Sequence, residues 1–182
     1  MTASVAWING QWGTAASLQL PLDDRSLLLA DGLFETVLIH NGEPQLLQEH
    51  LQRWSDSAAL LGMDPPPQRD ALGPLIEGAI QRSQLSEADG ALRLNWSRGS
   101  TSQRGIGLPA SGHHRFWLTL HPCTPTFSQV TTITSCHERR NASSRLSRCK
   151  TFAYGQAIQA RREAEEQGAD DALLLNTTGV LC

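Results

Sequence analysis

The sequence predicts an α/β (α+β) protein: an N-terminal antiparallel sheet with helices, followed by the start of a second domain. Three observations carry this expectation. Asn9-Gly10 and Asn41-Gly42 each follow a strand-like run and match the dipeptide of tight hairpin turns. Two segments, around 47–61 and 68–84, repeat apolar residues at helical spacing. The region Pro122 to Pro125 interrupts the pattern between two strand-like runs, which predicts domains at 1–122 and 123–182.

Val5 to Asn9 reads as a strand that turns at Asn9-Gly10 into Gln11-Trp12. Pro21 to Asp24 reads as a loop. The second hairpin runs from Phe34 to His40, supported by Thr36, Val37 and Ile39, and returns through Gln45 to Leu47. Pro44 makes that return arm irregular or an edge. Leu47, Leu51, Trp54, Ala58 and Leu61 form one helical stripe, and Gly62 stands where a C-terminal cap belongs. His50, Arg53 and Ser57 share a different, polar face. Asp64-Pro65-Pro66-Pro67 breaks the chain. The next helix turns Leu72, Leu75, Ile76, Ala79 and Ile80 inward.

Leu92 to Trp96, Phe116 to Leu120 and Val130 to Thr134 read as strands, with a Gly-, Ser- and Arg-rich loop over Ser97 to Gly112. A polar, basic loop is expected from His137 to Lys150. Tyr154 to Gln167 reads as a helix closed by Gly168, with Glu163, Glu165 and Glu166 toward solvent. Ala172 to Leu175 reads as a strand. Thr178-Gly179 then turns toward Val180-Leu181, an arm with no partner behind it.

Composition excludes several classes. With 182 residues and 40% hydrophobic content, the chain can bury a core. A net charge of -3 argues against a general nucleic-acid binder. No stretch is apolar for long enough to span a bilayer, and the N-terminus does not read as a signal peptide. Cys123, Cys136, Cys149 and Cys182 form no C-x-x-C pair, so a reduced, cytoplasmic setting is expected. The six histidines form no H-E-x-x-H motif, and no metal is expected. Neither a dinucleotide fingerprint nor a G-x-S-x-G element occurs.

The basic residues are unevenly chosen. Fourteen are arginines and one, Lys150, is a lysine. Arginine can solubilise and pair with carboxylates, but it cannot lose its proton near neutrality and so cannot form an imine. One retained lysine marks either an amine that chemistry requires or a leftover of drift. Arg145 and Arg148 are close to it in sequence, and cations favour the free amine. Taken alone, the segment reads as a solvated basic loop. Arg53 suits a phosphate pocket, or is an ordinary helix-face arginine. His50 reads as its neighbour rather than as a base. The loop 97–105 carries Arg98 and Arg104, which suits an anionic ligand or a plain surface loop.

The ordered set is more specific than its parts. Trp7-Ile8-Asn9-Gly10, Asp24-Arg25, Ala30-Asp31-Gly32-Leu33-Phe34-Glu35-Thr36 and His50-Leu51-Gln52-Arg53 come first. Ser97-Arg98-Gly99-Ser100, Lys150-Thr151-Phe152-Ala153-Tyr154 and Gly168-Ala169-Asp170-Asp171-Ala172-Leu173 follow. Together they resemble the class IV aminotransferases, the fold-type-IV pyridoxal-phosphate enzymes. The resemblance implies a two-domain architecture and pyridoxal 5'-phosphate as cofactor. It implies that Lys150 forms the internal aldimine, Arg53 binds the cofactor phosphate and Tyr154 stands near its phenolic oxygen. Arg98 and Arg104 match a loop that meets the substrate carboxylate in some members. A small anionic substrate bearing an amino group and a homodimer are also implied.

Within the family, the loop 97–105 most resembles aminodeoxychorismate lyase, which forms 4-aminobenzoate and pyruvate in folate biosynthesis. D-amino-acid or branched-chain-type transamination is the alternative. By the same resemblance, a glutamate that pairs with the pyridine nitrogen follows immediately after Cys182. The expectation is therefore a C-terminally truncated second domain, so a non-catalytic remnant is a further reading. An arginine-loop module for anionic ligands is the weakest.

Overall fold

Asn9 and Gly10 adopt φ values of 51° and 81°, and Asn41 and Gly42 adopt 48° and 79°. Two consecutive left-handed residues make the turn whose twist matches paired strands, and Asn and Gly tolerate that region best. In the computed structural model, which describes residues 2–101, 105–109 and 114–182, each turn closes a hairpin. β1 (Val5–Ile8) pairs with β2 (Gln11–Gly13). A one-turn helix, α1 (Arg25–Leu29), then leads into β3 (Gly32–His40), which pairs with a two-residue β4 (Glu43–Pro44). The return arm is shorter and earlier than expected: the Gln45 N–H still reaches the Leu38 carbonyl at 2.8 Å, but Leu46 is left-handed at φ 50° and starts the following helix.

The two helices of the first unit are α2 (Leu47–Leu60) and α3 (Arg69–Ser83). They are followed by β5 (Gly90–Ser97) and β6 (Arg115–Pro122). The six strands form one antiparallel sheet in the order β2-β1-β6-β5-β3-β4. Alternation along the long strands turns Leu33, Val37, Ile39, Leu92, Leu94, Leu118 and Leu120 into the core. Leu51, Trp54 and Ala58 of α2 and Leu72, Ile76, Ala79 and Ile80 of α3 are buried as well. α1 was not expected. Its signal is Asp24, whose carboxylate caps the Ser26 N–H at 2.9 Å.

The chain divides at Pro125 into two compact units, Met1–Pro125 and Thr126–Cys182. The second contains β7 (Thr132–Arg140), a short 3-10 turn (Arg145–Arg148), α4 (Gly155–Glu166) and β8 (Asp171–Asn176). β7 and β8 are parallel, joined by α4 as a crossover. Two expectations need correction here. Residues 137–140 belong to β7 rather than to a loop; their pairing with β8 uses backbone groups, so polar side chains do not forbid it. Glu163 is not simply solvated, since it accepts from Ser135 Oγ at 2.6 Å and from the Cys136 N–H at 2.8 Å. These bonds hold the irregularity in β7 between Thr134 and Arg139. Leu181 also has a partner, bridging to Leu175.

Gly42 has a Cβ-less approach to Ser86, whose carbonyl oxygen would lie 2.8 Å from an added Cβ. Gly10 has a similar φ but open space around it. Both alanine substitutions should cost the left-handed strain of roughly 1–3 kcal/mol, and Gly42→Ala should lose more. Urea midpoints for the two variants test this; a smaller loss at Gly42 would count against the packing account.

Candidate functional site

Strand alternation places Glu35 on the inward face of β3, between Leu33 and Val37. A carboxylate there is costly unless it is paired and hydrogen-bonded. α2 supplies the partners. His50 and Arg53 lie one turn apart on the same helix face. Arg53 Nε donates to Glu35 Oε1 at 2.7 Å and Nη2 donates to Oε2 at 2.6 Å. His50 Nδ1 lies 2.8 Å from Oε2. Glu35 is 1% exposed at its side chain, whereas Arg53 keeps 55%. The expected grouping of His50 with Arg53 is therefore seen, while Ser57 turns inward and is buried. Glu35 was missed as a site residue. Its signal was a charged residue at a core register of a strand.

A second cluster organises the start and end of the β5–β6 connection. Asp24 is fully buried and accepts from Ser97 Oγ at 2.5 Å, Ser26 Oγ at 2.6 Å and Arg115 Nε at 3.1 Å. Asp31 takes two cations: Arg25 Nε at 2.7 Å and Arg98 Nε at 2.9 Å. Arg25 Nη1 also donates to the Gly107 carbonyl at 2.9 Å. Arg98 Nη1 and Nη2 donate to the carbonyls of Gly62 and Leu61, at 2.8 and 3.0 Å. Those carbonyls follow the end of α2, where backbone acceptors lack helical partners. Arg98, with 8% of its side chain exposed, thus spends all three nitrogens on the protein itself. Arg104 lies outside the described residues.

His114 belongs to this region and has partners of its own. Its ring stacks on Trp96 with centroids 5.1 Å apart, and its Nε2 accepts from the Asp64 N–H at 3.2 Å. Nδ1 lies 3.2 Å from Asp64 Oδ2 without hydrogen-bond alignment. Burial pushes the imidazole below its ordinary value, and the Arg98 charge adds to this against the pull of Asp64. An accepting Nε2 is consistent with a neutral ring.

In the second unit, Lys150 follows the 3-10 turn and precedes α4, whose N-cap is Tyr154. Lys150 as a whole is half-buried, and its Nζ donates to the Tyr154 hydroxyl at 3.1 Å in an exposed hydrogen bond. The turn is tied to β7 through Arg140 Nη1, which donates to the Ser147 carbonyl at 3.2 Å. Gln156 Nε2 donates to the Arg139 carbonyl at 2.9 Å, fastening the first turn of α4 to the same strand. Lys150 is thus carried on a connection braced from both sides. Among the described residues, no three His, Cys, Asp or Glu side chains are grouped to hold a metal ion. No helix among them is long and apolar enough to cross a membrane.

Comparison with known proteins adds three findings. Residues 32–182 match the family model for amino-transferase class IV. The chain is 30% identical over 169 residues to a bifunctional aminodeoxychorismate lyase / D-amino acid transaminase of Mycobacterium tuberculosis, covering 88% of this chain and 56% of that protein. Two solved structures are also similar. A hypothetical aminotransferase from Mycobacterium tuberculosis in its pyridoxal-phosphate-bound form is 26% identical, with a TM-score of 0.79 over 98% of this chain and 64% of that one. A Legionella pneumophila protein proposed to be a 4-amino-4-deoxychorismate lyase is 28% identical, with a TM-score of 0.79 over 92% and 60%. The chain spans less than two thirds of each of these relatives.

The lowered His114 value predicts a pH effect. Between the folded value and the ordinary 6.5, the unfolded chain binds more protons than the folded one. The stability contributed by His114 is therefore complete above pH 6.5 and is lost as pH falls below it. Urea midpoints across this range should fall more steeply for the wild type than for His114→Gln. Parallel curves would discard the assignment.

Proposed function

The chain belongs to the class IV aminotransferases, and from that membership we propose that it is a pyridoxal 5'-phosphate enzyme of the aminodeoxychorismate-lyase type. It would convert 4-amino-4-deoxychorismate to 4-aminobenzoate and pyruvate. The observation that carries this reading is Lys150. It is the one lysine of the chain, with its amine held 3.1 Å from the Tyr154 hydroxyl at the head of α4. The Mycobacterium tuberculosis relative, whose name includes the lyase activity, supports this branch of the family. So does the Legionella pneumophila protein.

The residues present fit the cofactor by their chemistry. Lys150 offers an amine, and Arg53 offers a half-exposed guanidinium held by a buried carboxylate. When bound, pyridoxal phosphate supplies an aldehyde carbon open to amines and a ring that accepts an electron pair. Lys150 Nζ would be the amine that holds the cofactor and the group that takes and returns the substrate proton. Tyr154 Oη accepts from Nζ and so limits where that nitrogen points. Arg53 would take the phosphate through charge-assisted hydrogen bonds. Arg104 is assigned to the carboxylates of the small anionic substrate. Arg98, whose nitrogens already donate to Asp31, Gly62 and Leu61, sets the base of the same loop.

This reading includes a place in folate biosynthesis, a cytoplasmic setting and a homodimer. Exposed Leu22, Leu27, Leu28 and Leu29 leave apolar surface that suits a second copy. D-amino-acid transamination is the second reading, favoured by the other half of the same relative's name.

The test begins with pyridoxal phosphate and borohydride, which should leave a covalent adduct on Lys150 and none in Lys150→Ala. Incubation with 4-amino-4-deoxychorismate should then release 4-aminobenzoate and pyruvate. Lys150→Ala should lower that rate at least about a hundredfold. Amino-group transfer from D-alanine to 2-oxoglutarate without lyase products would favour the second reading. Absence of any adduct would sink both.

A further inference from the structure

His114 is a buried titratable side chain that the proposed chemistry does not use. It directly precedes β6, and its side chain is 7% exposed. The ring lies against Trp96, with centroids 5.1 Å apart and planes 17° from parallel. Beside it runs the strap 61–64, which leaves α2 toward α3. Among the described residues, three side chains hold this strap. Arg98 Nη1 and Nη2 donate to the Gly62 and Leu61 carbonyls, and Trp96 Nε1 donates to the Asp64 carbonyl at 2.9 Å. The fourth bond runs the other way, from the Asp64 N–H to His114 Nε2 at 3.2 Å. Guanidinium and indole N–H groups can only donate. An imidazole nitrogen accepts only while it carries no proton, so this bond alone of the four depends on the proton state of its side chain.

We propose that His114 is an acid-released latch on the α2–α3 connection: its neutral ring holds the Asp64 N–H, and protonation at Nε2 frees that group. A protonated Nε2 points a hydrogen at the amide hydrogen, and two donors cannot make a hydrogen bond. The surroundings of the ring divide over the charge. Burial opposes the imidazolium most and Arg98 joins it, whereas Asp64, with Oδ2 3.2 Å from Nδ1, and Asp31 favour it. The latched form therefore holds at neutral pH, and the released form belongs to acid below the ordinary value of 6.5. The site also contains the alternative partner. Nδ1 makes no hydrogen bond among the described residues, and the neighbouring Asp64 carboxylate is 41% exposed. A small rotation of the imidazolium exchanges the backbone bond for a charge-assisted one to that carboxylate. The three bonds donated by Arg98 and Trp96 do not involve the ring nitrogens. Release is therefore confined to the Asp64 end of the strap, a local change between two packings rather than an unfolding.

Hydrogen exchange at single amides tests the latch on the full chain. Pro65, Pro66 and Pro67 have no N–H, so the Asp64 amide is the last of the strap before Gln68 and is read without overlap from the residues that follow. The Gly62 and Met63 amides donate to the Ala59 and Ala58 carbonyls at 3.1 and 2.9 Å, and they serve as internal standards. After correction for the intrinsic pH dependence of exchange, protection at Asp64 should fall about fivefold to tenfold from about pH 8 to about pH 5. Gly62 and Met63 should keep theirs. In His114→Gln, whose side chain does not titrate, protection at Asp64 should not change with pH. An unchanging Asp64 amide in the wild type, an equal fall in His114→Gln, or a parallel loss at Gly62, Met63 and the β5 amides would overturn the proposal. If His114→Gln does not fold, the comparison is made within the wild type by NMR. The Asp64 amide and the His114 ring protons should then titrate with one midpoint, and separate midpoints would equally overturn it.

Discussion

A carboxylate placed in a core register of a strand constrains everything packed over it. Glu35 lies between Leu33 and Val37 with almost no solvent contact. It is tolerable only where donors reach both oxygens. That requirement sets the rotation of α2 about its own axis. The helix must bury Leu51, Trp54 and Ala58 and at the same time present His50 and Arg53 to the acid. The apolar stripe and the two polar residues are separated by the helical period, so one rotation satisfies both. The arginine that the cofactor reading requires is thus placed by the same packing that closes the core.

The acidic residues of α1 and its surroundings work in a related way. Asp24 and Asp31 collect Arg25, Arg98 and Arg115, together with the hydroxyls of Ser26 and Ser97. Breaking one partner of such a buried set leaves a charge uncompensated, which costs far more than a surface pair yields. Arginine suits this role because its planar fork can serve a carboxylate and backbone carbonyls at once, as Arg98 does between Asp31 and the end of α2. The preference for arginine is therefore partly architectural. Lysine could not bridge three acceptors in fixed directions, and arginine could not supply the amine at position 150.

Much of the fold was legible because it follows from local rules. The Asn-Gly turns, the stripe from Leu51 to Ala58 and the alternation of Leu92, Leu94 and Trp96 all behave as spacing suggests. Failures came where the deciding interaction is distant in sequence. The residues 137–140 look like loop until β8 arrives to pair with them. Glu163 looks solvated until the irregular β7 offers it Ser135 and Cys136. His114 looks like spacer until Trp96 and Asp64 surround it.

The sequence by itself determined the class of the fold, the family to which the chain belongs and the presence of a single lysine. These depend on residue type and order, which need no coordinates. Tertiary structure decided what the arginines do. Arg53 is clamped by Glu35, eighteen residues away in sequence, whereas Arg98 is drawn inward by Asp31 and the last carbonyls after α2. A guanidinium is alike in both places as a letter of the sequence; only the acceptors that folding brings to it distinguish a half-exposed cation from an enclosed one.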